Sequence, residues 1–285
     1  MKKLLFQLDT DGLASVFDTV VGFDGGADHV IPIAGVTPER ALDLVDGAIY
    51  TRGPKDKKHT ALFIGGSDMA AGEALLAAVR GRFFSGFRVS VMLDSNGGNT
   101  TAAAAVALLA EATPLGGKRA VVLAGTGPVG SRAAALLARE GASVRLASRA
   151  RARAEAACAE LGRRFGVTLE PVATPDRAAT AAALAGAAIV LAAGKAGVEL
   201  LGEDGWSGHP SLELVADVNT APPAGIAGID LMDRGTERAG KRAFGGIGIG
   251  ALKLRLHRAC VARLFDSNDL VLDAEEIYAI ARSIG

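Results

Sequence analysis

Short apolar runs and longer stretches with apolar positions three and four apart take turns along almost the whole chain. This pattern predicts strands alternating with amphipathic helices, and hence parallel sheets covered by helices. In the first part it predicts strands at 3–8, 29–33, 60–64 and 88–93, with helices at 13–21, 38–45, 69–82 and 100–111. Thr113-Pro-Leu-Gly-Gly117 interrupts the series and reads as a linker. Beyond it the pattern predicts a strand from Lys118, then strands at 143–147, 167–171, 188–192 and 212–216. Helices are expected between them at 131–139, 150–165 and 176–184. Gly245-Gly-Ile-Gly-Ile-Gly250 precedes an amphipathic run at 251–265, and a last helix is expected at 274–284. The fold class is α/β, with two α/β domains at 1–113 and 114–250, the second a Rossmann-type parallel sheet. The C-terminal helices of 251–285 are expected to pack back on the first domain. No repeat of 20 to 50 residues suggests a solenoid.

One stretch carries more chemistry than the rest: Lys118-Arg-Ala-Val-Val-Leu-Ala-Gly-Thr-Gly-Pro-Val-Gly130. A bare Gly-x-Gly-x-x-Gly is weak evidence. Here a strand precedes it, a helix follows, and a second strand comes at the distance of a βαβ unit, which is the dinucleotide-binding context. Gly125 is expected to make the tight turn, Gly127 to let a pyrophosphate approach the backbone, and Gly130 to let helix and strand pack closely. Pro128 suits the first helical turn, where its missing N–H costs little. The N–H groups of Thr126, Gly127, Val129 and Gly130, where the helix opens, would hold the pyrophosphate. A Rossmann-like fold with an altered site is the alternative.

The strand end that usually carries an acid for the adenosine ribose reads Leu146-Ala-Ser148-Arg149, with Arg151 and Arg153 close behind. No carboxylate stands there. A hydroxyl followed by guanidinium groups suits a 2′-phosphate, because arginine pairs with phosphate bidentately and keeps its charge. The cofactor expected is therefore NADP, contacted by Ser148 and Arg149. Arg151 and Arg153 read equally well as the solvated face of the next helix. Ala193, Gly194, Asp217 and Asn219, at later strand ends, are expected to border the nicotinamide ribose.

Charge and composition remove other classes. With 31 basic and 31 acidic residues the formal net charge is zero, which gives no footprint for nucleic acid. No apolar run reaches the roughly 18 to 20 residues of a membrane helix, and the apolar part after Lys2 and Lys3 is too short for a signal peptide. Cys158 and Cys260 lack metal-ligand spacing and are expected to be buried free thiols. A cytoplasmic protein is expected.

Ligands of open parallel sheets bind at the carboxyl ends of the strands. In the first part those ends read Asp9-Thr10-Asp11, Gly65-Gly66-Ser67-Asp68 and Asp94-Ser95-Asn96-Gly97-Gly98-Asn99-Thr100. Asp9, Asp11, Asp94, Asn96 and Thr100 are candidates for contacting a substrate, although short polar residues among glycines also serve as turns and helix caps. Nucleophile elbows, zinc motifs and phosphate loops ending in Gly-Lys-Ser/Thr are missing. The four histidines are scattered. A hydride transfer that creates a stabilised cation needs none of these.

Longer segments outside any generic nucleotide motif are more specific. They are Leu8-Asp-Thr-Asp11, Gly22-Phe-Asp-Gly-Gly-Ala-Asp-His29, Ile49-Tyr-Thr-Arg-Gly53, Ser67-Asp-Met-Ala-Ala-Gly72, Met92-Leu-Asp-Ser-Asn-Gly97, Asn99-Thr-Thr-Ala102, Lys241-Arg-Ala-Phe-Gly245 and Leu252-Lys-Leu-Arg-Leu-His-Arg-Ala-Cys260. With the glycine fingerprint they make the chain resemble, nearly end to end, the NADP-dependent methylene-tetrahydromethanopterin dehydrogenases of methylotrophic bacteria, of which the best-known member also acts on methylene-tetrahydrofolate. The Ser148-Arg149 strand end differs in detail from that family.

The resemblance implies that NADP+ takes hydride from the carbon bridging N5 and N10 of a reduced pterin, giving the methenyl form and NADPH. The family is oligomeric, so a homo-oligomer is expected. Lys253 lies in the segment that the family places near the active site, and is the candidate catalytic side chain. It could contact the pterin carbonyl or a carboxylate such as Asp94. A surface lysine on an amphipathic helix is the alternative. Competing functions are an NADP-dependent dehydrogenase of a shikimate-like hydroxy acid, or a non-catalytic NADPH sensor.

Overall fold

The computed structural model describes residues 1–285 and divides into two compact units. Unit 1 is Met1–Thr100 with Leu254–Ile284, and unit 2 is essentially Thr101–Lys253. The division therefore falls inside two helices. The segment 113–117 only joins a helix to the next strand.

Unit 1 contains β1 (Leu4–Asp9), α1 (Val16–Asp24), β2 (His29–Ile33), α2 (Pro38–Tyr50), β3 (Thr60–Gly65), α3 (Met69–Arg82) and β4 (Ser90–Leu93). The helix α4 (Gly98–Ala112) then leads into unit 2. Strands β1 to β4 and a short C-terminal strand, Val271–Leu272, form one parallel sheet in the order 2-1-3-4 with the C-terminal strand outermost. The core is aliphatic, with Leu8, Leu62, Ile64, Leu75, Val91 and Leu93 buried. Sequence patterning predicts α1 to begin near residue 13, but it begins at Val16. The Asp9 carboxylate accepts N–H bonds from Asp11 and Ser15, which commits residues 10–14 to a turn, and Ser15 Oγ then caps the helix at Asp18 N.

Unit 2 contains β5 (Arg119–Leu123), α5 (Pro128–Arg139), β6 (Ser143–Ser148), α6 (Arg151–Phe165), β7 (Glu170–Ala173), α7 (Arg177–Leu184), β8 (Ile189–Ala192), β9 (Leu214–Asp217), β10 (Arg234–Arg238) and β11 (Lys241–Phe244). The sheet order β7-β6-β5-β8-β9-β11-β10 is the doubly wound Rossmann order, with β10 antiparallel at one edge. Its core includes Val121, Leu123, Leu184, Val190, Val215 and the fully buried Trp206, whose indole N–H donates to Ala227 O at 2.8 Å. The predicted strand at 167–171 lies two to three residues later. Gly166 ends α6 in the left-handed conformation, and the chain needs 167–169 to turn back before pairing with β6. Pro171 is tolerated because β7 is an edge strand.

Three elements escape the sequence pattern. The hairpin β10–β11 turns on Ala239 and Gly240, both at positive φ, and β10 is too polar to show alternation. The last helical run starts earlier than residue 251: α8 is Gly246–Arg263, so most of the glycine-rich run is helix. The strand β12 (Val271–Leu272) precedes α9 (Ala274–Ile284). Cys158 and Cys260 are both free, the first half-buried and the second buried. Burial pushes both thiols up.

Asp233 anchors the start of β10. It accepts from Asp230 N at 2.8 Å and forms a two-armed pair with Arg238. Burial alone would raise this carboxyl, but the Arg238 and backbone donors outweigh it and hold it below the usual carboxylate range. A depressed acid stabilises the fold above its unfolded value, and that contribution disappears as pH falls through its folded value. Asp233→Asn is therefore expected to lower the melting midpoint at neutral pH. The gap from wild type should close on acidification below roughly pH 4. A gap independent of pH in thermal melts would contradict the charge-based account.

Candidate functional site: a dinucleotide pocket and a polar sheet edge

In unit 2 the carboxyl ends of β5, β6 and β8 surround a cavity of about 260 Å³ lined by Thr126, Ser148, Arg149, Arg153, Lys195 and Val198, among others. It lies at the switch point of the sheet, between β5 and β8, where doubly wound folds bind ligands. Five of the residues singled out from sequence line it together: Thr126, Ser148, Arg149, Arg153 and Gly194. Ser148 is buried, while Arg149 and Arg153 are exposed at its rim. Arg151 belongs elsewhere. It pairs with Glu155 at 2.9 Å and borders a separate groove.

The fingerprint works somewhat differently from expectation. Ala124, not Gly125, takes the left-handed conformation, at φ 51°. Gly125 is required by crowding, since a Cβ there would lie 2.9 Å from Val122 O and 3.1 Å from Leu146. A Cβ on Gly130 would lie 2.7 Å from Gly125 Cα, so the helix packs against the turn itself. Around Gly127 nothing lies within 4 Å of a Cβ position, leaving the backbone open to a ligand. Pro128 is the first residue of α5, followed by half-buried Val129.

Helix capping also fits an anionic cofactor. Helices α1, α2, α3 and α7 are capped by the side chains of Ser15, Thr37, Asp68 and Asp176. The two helices that begin beside the cavity, α5 and α6, have Gly127 and Ala150 at that position and no side-chain cap. The absence of a side-chain cap on these two helices leaves room for phosphate oxygens at their N-termini. The donor set thus fits a dinucleotide with a 2′-phosphate. Thr174 and Lys195 also line the cavity and were missed in the sequence. Neither sits in a motif, and only the pairing of β7 with β6 and of β8 with β5 brings them there.

The other cofactor-side candidates divide. Ala193 donates its N–H to Leu123 O at 3.0 Å and tethers the β8 end to β5. Asp217 is fully buried and holds a loop, accepting from Asn219 N at 2.9 Å and Ile226 N at 3.1 Å. Burial pushes its carboxyl up against those bonds. Asn219 is buried beside it, and its carbonyl backs onto Gly246. Asp217 and Asn219 are absent from the cavity wall.

In unit 1 the strand-end residues gather at the carboxyl edge of the sheet. Asp11 bridges two loops, accepting from Ser67 N and Ser67 Oγ, each at 3.0 Å. Asn96 is exposed, sits at φ 54°, and donates its N–H to Gly66 O at 2.6 Å. Asp94 and Thr100 are buried together, Asp94 accepting from Thr100 N at 2.8 Å and Thr100 Oγ1 at 2.6 Å. His257 Nδ1 of α8 lies 3.8 Å from Asp94 Oδ2, and its ring stacks on Phe63 with centroids 5.3 Å apart. Asp9, Asp94 and Thr100 therefore act within the fold, while Asp11 and Asn96 reach the surface. Lys253 is half-buried on α8, one helical turn before His257.

This architecture and this cavity define a dehydrogenase-type protein that pairs a nucleotide-binding Rossmann unit with a separate α/β unit. Solved structures share the arrangement. Quinate dehydrogenase from Corynebacterium glutamicum, in complex with NAD, has a TM-score of 0.54 and 18% identity over 99% of both chains. A shikimate 5-dehydrogenase from Mycobacterium fortuitum also gives 0.54, with 16% identity over 98% of both. At these identities the likeness concerns the fold alone.

Sequence relatives say more. The family model described as methylene-tetrahydromethanopterin dehydrogenase, N-terminal, matches residues 16–96. The chain is 57% identical over 285 residues to the bifunctional protein MdtA of Methylorubrum extorquens AM1, covering 99% of each. It is 31% identical over 280 residues to the NAD(P)-dependent methylenetetrahydromethanopterin dehydrogenase of the same organism, covering 95% of this chain and 94% of that one. The chain belongs to the methylene-tetrahydromethanopterin dehydrogenase family, whose members are NAD(P)-dependent oxidoreductases. No helix is long and apolar enough to cross a membrane.

Proposed function

We propose that this protein is an NADP-dependent methylene-tetrahydromethanopterin dehydrogenase acting in one-carbon metabolism in the cytoplasm. The end-to-end likeness to a relative named for that reaction carries the proposal, and the acid-free cavity at Ser148 and Arg149 supports NADP as the acceptor. When bound, NADP+ supplies the hydride acceptor. The N–H groups opening α5 would hold its pyrophosphate, Gly127 would let it approach, and Ser148, Arg149 and Arg153 would hold the 2′-phosphate.

The C–H bond of the bridge between N5 and N10 breaks, both electrons leave with the hydrogen, and the resulting positive charge is shared by the two nitrogens. No proton is taken up or released, so the chain need only bind and orient the reactants. This agrees with strand ends whose carboxylates hold turns rather than face a reacting proton. Lys253 would act by orienting the substrate. Lys253→Ala is expected to lower kcat/KM for the pterin by about tenfold or more while NADP+ affinity is kept. Unchanged steady-state kinetics would remove it from the site.

The decisive experiment follows NADPH absorbance with methylene-tetrahydromethanopterin, methylene-tetrahydrofolate, shikimate or quinate as donor, in a weakly buffered indicator solution. Oxidation of a hydroxy acid releases one proton per NADPH, whereas formation of a methenyl cation releases none. NADPH formed from a methylene-pterin without initial acidification supports the proposal. Turnover only with a hydroxy acid overturns it. Tight NADPH binding without turnover of any donor would identify a sensor. As a homo-oligomer the protein should scatter light as a multiple of 28.9 kDa. A 28.9 kDa species would remove that part.

A further inference from the structure

We propose that Lys195, just past the carboxyl end of β8, clamps the cofactor's pyrophosphate, separately from the arginines assigned to the 2′-phosphate. This inference rests on the NADP+ reading above and concerns a side chain outside the glycine fingerprint. The cavity wall carries three cations, Arg149, Arg153 and Lys195, and no carboxylate.

Cations nearby but off this wall are neutralised within the fold. Arg145 pairs with Glu170 at 3.1 Å, Arg151 with Glu155 at 2.9 Å and Arg177 with Asp204 at 2.7 Å. Arg149, Arg153 and Lys195 are exposed and form no ion pair with the chain. The phosphates of a dinucleotide would supply the missing counter-charge.

The three cations stand on opposite banks, because β6 and β8 flank β5 on its two sides. Arg149 and Arg153 follow the end of β6, and Lys195 follows the end of β8. The β8 end is tied to the fingerprint turn. Ala193 N–H donates to Leu123 O at 3.0 Å, and a Cβ built on Gly194 would lie 3.4 Å from Ala124 Cβ. Lys195 therefore leaves the backbone beside the turn that leads into α5, and it lines the cavity together with Thr126 of that turn. Its loop is pinned again at Leu200 and Leu201, whose N–H groups donate to Gly225 O at 2.7 and 3.1 Å.

The seat at the start of α5 is short of charge. From Ala124 to Ser131 the fingerprint contains no lysine or arginine. Pro128, the first residue of α5, has no N–H to give. A helix N-terminus carries only about half a positive charge, against the two anionic groups of a pyrophosphate. An ammonium on the β8 bank adds a full point charge with three donors on a flexible stem. Because NADP+ and NAD+ share the pyrophosphate, Lys195 should strengthen both to the same degree. The preference between them stays with the β6 end.

The test follows NADPH and NADH fluorescence on binding to the intact protein, without a pterin. Lys195→Gln should raise both Kd values by the same factor, about fivefold or more. Lys195→Arg keeps the charge and should stay near wild type. Displacement of NADPH by fragments separates the phosphates. ADP, with a pyrophosphate and no 2′-phosphate, should bind Lys195→Gln more weakly than wild type. 2′-AMP, with the 2′-phosphate and no pyrophosphate, should bind both alike, which also shows that the variant's pocket is intact. Equal NADPH affinity of wild type and Lys195→Gln overturns the assignment, and so does weaker binding of 2′-AMP by the variant. A wild type that binds no NADPH removes the cofactor reading itself, and this assignment with it.

Discussion

Gly248→Ala is expected to destabilise the protein by about 2–3 kcal/mol, a fall in melting midpoint of roughly 5–10 °C. Gly248 lies in the first turn of α8, and a Cβ there would sit 2.0 Å from the Asp233 carbonyl oxygen and 2.8 Å from its carbon. Those atoms are backbone. No rotamer change relieves the overlap, and Asp233 is pinned by Asp230 N and Arg238. Alanine's better helix propensity returns about 1 kcal/mol at most. Gly250, two residues on in the same helix, has nothing within 4 Å of its Cβ position. Gly250→Ala should therefore be neutral or stabilise by up to about 1 kcal/mol. Thermal melts that gave both variants the same midpoint would refute the packing account.

The same glycines show where sequence reading stops. A run spaced Gly-Gly-Ile-Gly-Ile-Gly looks like a flexible loop before a helix. In the fold Gly245, Gly246 and Gly248 press against the backbone of Asp230 and Leu231, Asn219 and Asp233 respectively, partners many residues away that no local pattern announces. The βαβ fingerprint was legible because all its parts are contiguous: strand, turn and helix each have a periodic signature within a few dozen residues. Even there the left-handed residue proved to be Ala124, since propensity assigns that conformation to glycine. The polar strand ends of unit 1 were legible as a cluster but not as individuals. Asp9, Asp11 and Asp94 look alike in the sequence, yet two are buried organisers and one bridges loops.

Arg149→Ala should collapse the preference for NADP+. Ser148 is buried in the cavity wall, Arg149 and Arg153 stand exposed at its rim, and α6 begins there without a side-chain cap. A guanidinium–phosphate interaction contributes about 1.5–3 kcal/mol, so losing Arg149 should raise KM for NADP+ by roughly 10- to 100-fold. KM for NAD+, which lacks the 2′-phosphate, should change little. Arg151→Ala serves as the control: this side chain pairs with Glu155 and borders another groove, and neither KM should move. Ser148→Asp should go further than Arg149→Ala. A carboxylate at the strand end accepts from a ribose hydroxyl but repels a phosphate, which moves the preference towards NAD+. Because the arginines are exposed, the wild-type preference should also weaken as salt is raised. If Arg149→Ala raised both KM values equally, Arg149 would be supporting the cavity wall rather than reading the phosphate, and the charge that selects NADP+ would have to come from Arg153 or Lys195 on the same wall.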